Sequence, residues 1–426
     1  LSLVPEATGA AAPAHNQQFG YDELGRLTQA STAQTSWTYT YDANGNRSSV
    51  AMNGGAAAPY TVASTSNRLN AVTTPPITFS HDAAGNITSD GSFTLGYDLR
   101  GRLTGVAHPS QGSNSYTYDN AGQRVRKSSS AGSAGTVAFV YDPQGHLLGE
   151  YDVSGKAIRE YVWLDDMPVA VFVPDPALGA NAASGPPLVY YVHADHLNTP
   201  RVVVDRNNVQ RWRWLAEPFG TSAAETSPAG LAAFTFNLRF PGQFYDVESG
   251  AHYNMQRDYL PGIGRYAQSD PLGVLPGAEV ASPGLSRLSP RLRAKLSKVV
   301  FQLNQPYAYV DSNPVSQIDP DGLEPTALGK IGIGAARGGL GGARGGLVGI
   351  GLGIGIGAMA EMCSPTDRDR DERQCDADYD AGRDFCHSMA VTKGRHKGTK
   401  KYAETYSQCM RAVDEEYVEC YQRAGK

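Results

Sequence analysis

Two aspartates in near-identical surroundings are the residues of this chain best suited to chemistry. Asp319 stands in "SQIDPDGL" at 316–323 and Asp270 in "AQSDPLGV" at 267–274, 49 residues apart. Asp-Pro-x-Gly is a poor phrase for a helix or a central strand, because Pro removes a donor and Gly weakens either element. It suits a held carboxylate: Pro stiffens the backbone beside it, and Gly lets another backbone come close. Two carboxylates sharing a proton can cleave a peptide without a metal or a Ser or Cys nucleophile, one activating water and the other protonating the carbonyl oxygen. Like charges held together cannot both ionise, so one pKa rises and supplies the acid. The alternative is that both phrases are turns of a scaffold. Between them, 275–300 reads as a basic insert, an exposed loop with a short helix.

Other candidate groups point elsewhere. "HADH" at 193–196 invites a metal reading, yet on a strand His193 and Asp195 share one face while His196 takes the other, so the three do not converge locally. No metal site and no cofactor is assigned. Trp212 and Trp214 alternate onto one face and read as core rather than as a platform for bases.

All five Cys lie after position 360. Cys375 and Cys386 are 11 apart, as are Cys409 and Cys420. Eleven residues turn a helix by about 1100°, within about 20° of whole turns, so each pair lies along one face. Antiparallel pairing then predicts the disulfides Cys375–Cys420 and Cys386–Cys409, with Cys363 left over and the turn at 392–401. Zinc is the competitor, but Cys residues 11 apart on a helix are about 16 Å apart and cannot share a tetrahedral ion. Two disulfides imply an oxidising destination.

The elements that must position these groups are announced by a repeat. "YDELGRL" at 21, "YDANGNR" at 41, "YDLRGRL" at 97, "YDNAGQR" at 118, "YDPQGHL" at 141 and "YDVSGKA" at 151 share one phrase, and "HDAAGNI" at 81 replaces Tyr by His. An aromatic residue ends a strand, Asp opens the turn by bonding nearby amides, Gly takes a positive φ, and an extended segment resumes. Each repeat is then a β-hairpin that must stack on neighbours to bury one face. Gly 48, Tyr 23 and Pro 26 in 426 residues agree with sheet and frequent tight turns. A net charge of -5 implies no general affinity for nucleic acid or an anionic membrane. Residue 1 is Leu and no basic, apolar leader opens the chain, which reads as a fragment or processed form.

The Y-D-x-x-G repeats resemble those of the YD-repeat, or rearrangement-hotspot (Rhs), polymorphic toxin proteins. "YYVHADHLNTPRVVVDRNNVQRWRWLAEPFG" (190–220) and "FPGQFYDVESGAHYNMQRDYLPGIGRYAQSDPLG" (240–273) are similar to that family's associated core, so the likeness covers roughly 19–323. It implies a spiral shell of β-hairpins enclosing a C-terminal toxic domain, closed by a plug. It also implies an internal aspartic autoprotease with Asp270 and Asp319 as paired acids and Arg257 as the arginine beside them. Leu323 would precede the scissile bond to Glu324. Two departures stand out: Val274 replaces Leu at the end of the first motif, and the insert separates the two motifs.

The resulting expectation is a mainly β chain. Residues 1–18 form a disordered or fragment N-terminus, 19–189 a partial shell, 190–323 a plug carrying the cleavage motif, and 324–361 a Gly-rich apolar linker or pretoxin segment. Residues 362–426 form a small α-helical hairpin stapled by disulfides, read as the toxin tip. The longest uncharged stretch of the Gly-rich run, 345–360, is 16 residues, short of the roughly 20 that span a bilayer. Residues 362–426 hold 13 acidic and 12 basic side chains, so no nucleic acid is assigned as a partner. The function expected is an Rhs-type toxin or effector that encapsulates and releases its own C-terminal domain. The resemblance implies further partners, a secretion-apparatus component and a cognate immunity protein, and the Gly-rich run, read as a pretoxin segment, adds the target-cell membrane. The resemblance also implies a secreted or bacterial cell-surface location, reached by a contact-dependent or toxin-complex route. The competing expectation is a non-cleaving structural or adhesive YD-repeat surface protein.

Overall fold

The structure is a computed structural model, which describes residues 16–130, 135–271, 305–323, 326–327 and scattered positions between 379 and 418. The chain divides into two units, and residues 16–271 with 305–327 belong to the first. That unit is built of antiparallel strands paired in sequence order. One sheet has seven strands, from Gln18–Tyr21 to Pro76–Thr78, and the next has thirteen, from Ser80–His81 to Gln210–Arg213. The larger sheet therefore runs on past residue 190, through Leu188–Ala194 and Pro200–Asp205, because the segment 195–209 writes two more turns of the same chemistry without the Tyr-Asp signature.

That chemistry is uniform. The Asp42 Oδ1 accepts the N–H of Asn44 at 2.9 Å and of Asn46 at 2.8 Å; Asp98 takes Arg100 and Arg102 in the same way. The other carboxylate oxygen takes the side chain four residues on, Arg26 Nε at 2.6 Å from Asp22 and Arg102 Nε at 2.8 Å from Asp98. Asp195 repeats the pattern with Leu197 and Thr199, and Asn198 stands at φ +65° where the repeats use Gly. The Asp of "HADH" is thus a turn residue.

The repeat tyrosines tie one hairpin to the hairpin before it. Tyr41 donates its hydroxyl to the Leu27 carbonyl at 2.7 Å, Tyr97 to Ile87 at 2.7 Å, Tyr118 to Leu103 at 2.6 Å and Tyr141 to Arg124 at 3.1 Å. Trp163 does the same with its indole N–H, 2.9 Å from the Leu147 carbonyl. Tyr151 breaks the rule and donates to Glu160 at 2.7 Å. The reason is spacing. In a sheet whose strands follow one another, successive turns fall on opposite rims, and the single strand Leu147–Tyr151 separates the turns at 142 and 152. The sixth repeat therefore lies on the far rim.

The segment after Arg213 packs on the sheets through aromatic side chains. Trp212 and Trp214 are fully buried, against Phe236 and Phe240 at ring distances of 5.0 and 5.2 Å. The same cluster takes Phe139 and Tyr161 from the sheet and Tyr253, Tyr259, Tyr266 and Tyr309 from the core segment. Burial of such rings supplies much of the hydrophobic stabilisation. The turn glycines serve a second purpose here: a Cβ on Gly122 would meet the Gln256 side chain and one on Gly145 the Met255 methyl, whereas Gly155, on the far rim, faces open space.

The second unit is described at scattered tail positions. Those are helical, Cys386 and Cys409 form a disulfide, and the Tyr379 and Tyr417 rings stand 4.6 Å apart. The expected Cys375–Cys420 pair, Cys363, the Gly-rich run and the insert 275–300 lie outside the described residues. Among the described residues no helix is long and apolar enough to cross a membrane.

Candidate active site

The site is carried by a small four-stranded sheet, Phe244–Tyr245, His252–Asn254, Arg257–Leu260 and Arg265–Tyr266, each strand pairing with the next. A two-residue turn with Met255 at φ +52° joins its second and third strands, so Asn254 and Arg257 stand opposite each other. Tyr266, one strand over, completes the face. Onto it fold the two Asp-Pro motifs: the Asp270 N–H donates to the Pro306 carbonyl at 2.8 Å, and Gln256 N–H lies 3.3 Å from the Asp321 carbonyl.

Arg257 is the centre. Only 2% exposed, its guanidinium places Nη1 3.5 Å from Asp270 Oδ2 and Nη2 3.3 Å from Asp319 Oδ2. Nε donates to the Gly322 carbonyl at 2.5 Å and Nη1 to the Pro306 carbonyl at 3.3 Å. The plane lies over the Tyr266 ring, 3.8 Å from its centroid. An arginine fork suits this work because its donors are fixed in a plane and stay charged. The residues expected as acid, acid and arginine, Asp270, Asp319 and Arg257, are thus brought together on one cation.

Asp319 is completely buried. Its Oδ2 accepts the Tyr266 hydroxyl at 2.6 Å, its Oδ1 accepts the Leu323 N–H at 3.0 Å, and Asn254 Nδ2 donates to its carbonyl at 2.8 Å. Burial pushes its carboxyl up to about 6, against the pull of Arg257 and of the Tyr266 and Leu323 donors. Asp270, with 18% of its side chain exposed, is the acid that solvent reaches. The peptide between Gly322 and Leu323 is gripped from both sides, its carbonyl by Arg257 and its N–H by Asp319 and Asp321. Gly322 has φ +71°, and a Cβ there would collide with the Asn254 carbonyl, so the close approach expected of the motif glycine is real. Leu323 sits beside the acids; Glu324 lies outside the described residues. Gln317–Ile318, just before Asp319, pairs antiparallel with Thr326–Ala327.

A further carboxyl was not singled out by its sequence. Asp258 follows Arg257 on the strand, so its side chain points to the other face. It is 2% exposed, its Oδ2 takes Gln268 Nε2 at 2.5 Å, and its Oδ1 has no partner among the described residues. Burial raises it to about 7. An aspartate inside a strand carries no local pattern, and only its depth marks it.

A family model described as the teneurin YD-shell matches residues 7–274. Toxin protein Tse5 of Pseudomonas aeruginosa is 33% identical over 141 residues, 33% of this chain and 8% of that protein. The tRNA3(Ser)-specific nuclease WapA of Bacillus spizizenii is 25% identical over 288 residues, 67% of this chain and 11% of that protein. Among solved structures, TcdB2-TccC3 without its hypervariable C-terminal region matches with a TM-score of 0.52 at 19% identity, over 72% of this chain and 15% of that one. That last likeness is one of fold. The chain spans about a tenth of the length of these curated relatives.

Proposed function

The chain belongs to the YD-shell family, the shell of Rhs/YD-repeat polymorphic toxins, and from that premise we propose that it is part of a toxin or effector whose core cuts its own chain after Leu323. One observation carries this reading: a single buried guanidinium holds both motif aspartates and the carbonyl of Gly322, one residue before the junction. In the proposed reaction the solvent-reached Asp270 takes a proton from water as the water attacks the Leu323 carbonyl carbon. Asp319, protonated, gives its proton to the carbonyl oxygen. As the gem-diol collapses, Asp270 passes the proton it took to the Glu324 nitrogen and Asp319 takes one back from a gem-diol hydroxyl, so the C–N bond breaks to leave a carboxyl on Leu323 and an amine on Glu324.

The released piece, 324–426, is the cargo, and a toxin's producer needs an immunity protein against it. Delivery outside the cell, by a contact-dependent or toxin-complex route, fits relatives that are toxins and a disulfide in the tail. A target-cell membrane and a secretion-apparatus component complete the proposed partners.

Intact mass of the purified chain is the test. A fragment beginning at Glu324 is expected from the wild type, with Asp270→Asn and Asp319→Asn left uncut. The rate should fall about tenfold per pH unit above about 6, as Asp319 loses its proton. An uncut wild type, or normal cutting by either variant, overturns the mechanism. A specific observation favours the scaffold reading instead: Asp319 accepts the N–H four residues on and Gly322 takes a positive φ, the geometry of every YD turn. On that reading both variants lose stability and no fragment forms.

A further inference from the structure

We propose that the YD-turn rim of the sheets positions the paired acids, and that Gln305 and Tyr307 are the positioning residues through which it does so. The inference rests on the autoproteolytic reading and adds how that site is assembled. The segment entering the second motif passes between the YD turns and the site, and its successive side chains reach in turn to the rim. The Gln305 side chain donates to the Asn44 carbonyl at 2.7 Å and to Asn46 Oδ1 at 3.1 Å, inside the turn at 42–46. The Tyr307 hydroxyl donates to the Gly85 carbonyl at 2.8 Å, inside the turn at 82–86. Between them, Pro306 turns its carbonyl toward the site, where it accepts from the Asp270 N–H at 2.8 Å and from Arg257 Nη1 at 3.3 Å. Both side chains are nearly buried, at 7% and 4% exposure. A residue that grips a turn thus stands on each side of the residue that grips the cation.

The contact is close. A Cβ on Gly85 would run into the Tyr307 hydroxyl, so this repeat glycine supplies the space the tyrosine occupies. Farther on, the chain makes an unusual turn, with Val310, Asp311 and Ser312 at φ +42°, +52° and +60°. L-residues hold the left-handed region in succession only when their surroundings impose it. Those surroundings include the repeat hairpins: Val315 and the repeat tyrosine Tyr41 pack against one apolar cluster with Leu27, Tyr39 and Phe219. His196, in another turn, places Nε2 3.0 Å from the Val315 carbonyl. From 305 to 315 the path that delivers Asp319 is therefore set by turns written far upstream, and the acids meet Arg257 only when the hairpins beneath them are stacked. Cutting then reports a finished shell.

The test follows single-turnover cutting of the full chain, made in a cell-free system, halted with a translation inhibitor and diluted into buffers from pH 5 to 8. Tyr307→Phe removes one hydroxyl and Gln305→Leu one amide; each should slow the cut by about tenfold, the effect of one lost buried hydrogen bond. The alkaline limb of the pH profile should also move up by about half a pH unit, because a looser Arg257 favours the ionised Asp319 less and the carboxyl keeps its proton to higher pH. A purely stabilising role would not shift that limb. Tyr151→Phe, which removes a tyrosine hydroxyl on the far rim, is the control and should keep both rate and profile. Variants that cut at the wild-type rate with superimposable profiles overturn the inference alone. A wild type that never cuts overturns the autoproteolytic reading, and the inference with it.

Discussion

Asp258 shows what burial does to a single carboxyl. It has one partner, Gln268, and one oxygen without any among the described residues, so taking it from water raises its pKa to about 7. Folding at intermediate pH must therefore take up a proton. Since the folded value lies above the unfolded one, the contribution to stability is complete below about pH 4 and is lost as pH rises through about 7. Asp258→Asn keeps the shape and removes the charge. It should stabilise the chain at pH 8, by on the order of a few kcal/mol, and give no gain at pH 4; denaturant midpoints at the two pH values measure the difference. Equal midpoints at pH 8 would show that Asp258 ionises at no cost. The three residues on the other face were legible because two copies of a rigid Pro-x-Gly phrase cannot serve helix or strand, and because the family likeness supplied the arginine. Asp258 has no such phrase around it, and its depth comes from Gln268 and the sheet packed over it.

At the scale of the element, the hairpin turn was legible almost atom by atom, since Asp and Gly at fixed offsets have few other uses. What stayed hidden were the turns in which other residues take the same parts. Asn198 and Asn208 replace Gly at φ +65° and +61°, and Trp163 replaces the tyrosine that reaches back to the preceding hairpin. Those substitutions obey the same geometry with a different alphabet, so a search for the phrase passes over them. The dependence of each turn on its Asp can be measured. Asp98→Ala removes the acceptor for the Arg100 and Arg102 N–H groups and leaves the Arg102 guanidinium, stacked 4.9 Å from the Tyr118 ring, without its carboxylate. A loss of about 1–2 kcal/mol is expected, the value of a capping acceptor. Asp152→Ala, on the far rim where the turn is more exposed, should cost less; equal losses in urea denaturation would mean that packing on the next hairpin adds nothing.

Across the whole molecule, strands that pair in sequence order make the sheets a local construction, which folds without long loop closure. The core segment is different, for its contacts reach back more than a hundred residues. The strongest is ionic. Arg124, on the sheet, meets Asp246 with Nη1–Oδ2 at 2.5 Å and Nη2–Oδ1 at 2.9 Å, a two-point pair with both side chains 1% exposed. Lys127 adds a second cation 3.0 Å from Asp246 Oδ1. Nothing near either residue announces the pair, because 122 positions separate them and a lone Arg and a lone Asp occur everywhere. Such a pair does little for stability relative to well-packed apolar side chains, yet breaking one half of it is costly, since a buried charge is left behind. Asp246→Asn should therefore destabilise the closed form by about 3–5 kcal/mol, while Arg124→Met with Asp246→Leu should recover much of that loss. If the sheets form first and the core closes onto them, the single variant will expose the segment 214–271 to protease at denaturant concentrations where the strands up to Arg213 remain protected. Loss of protection in both parts at one concentration would mean that sheet and core fold as a single cooperative unit, with the ion pair holding the whole rather than the closure.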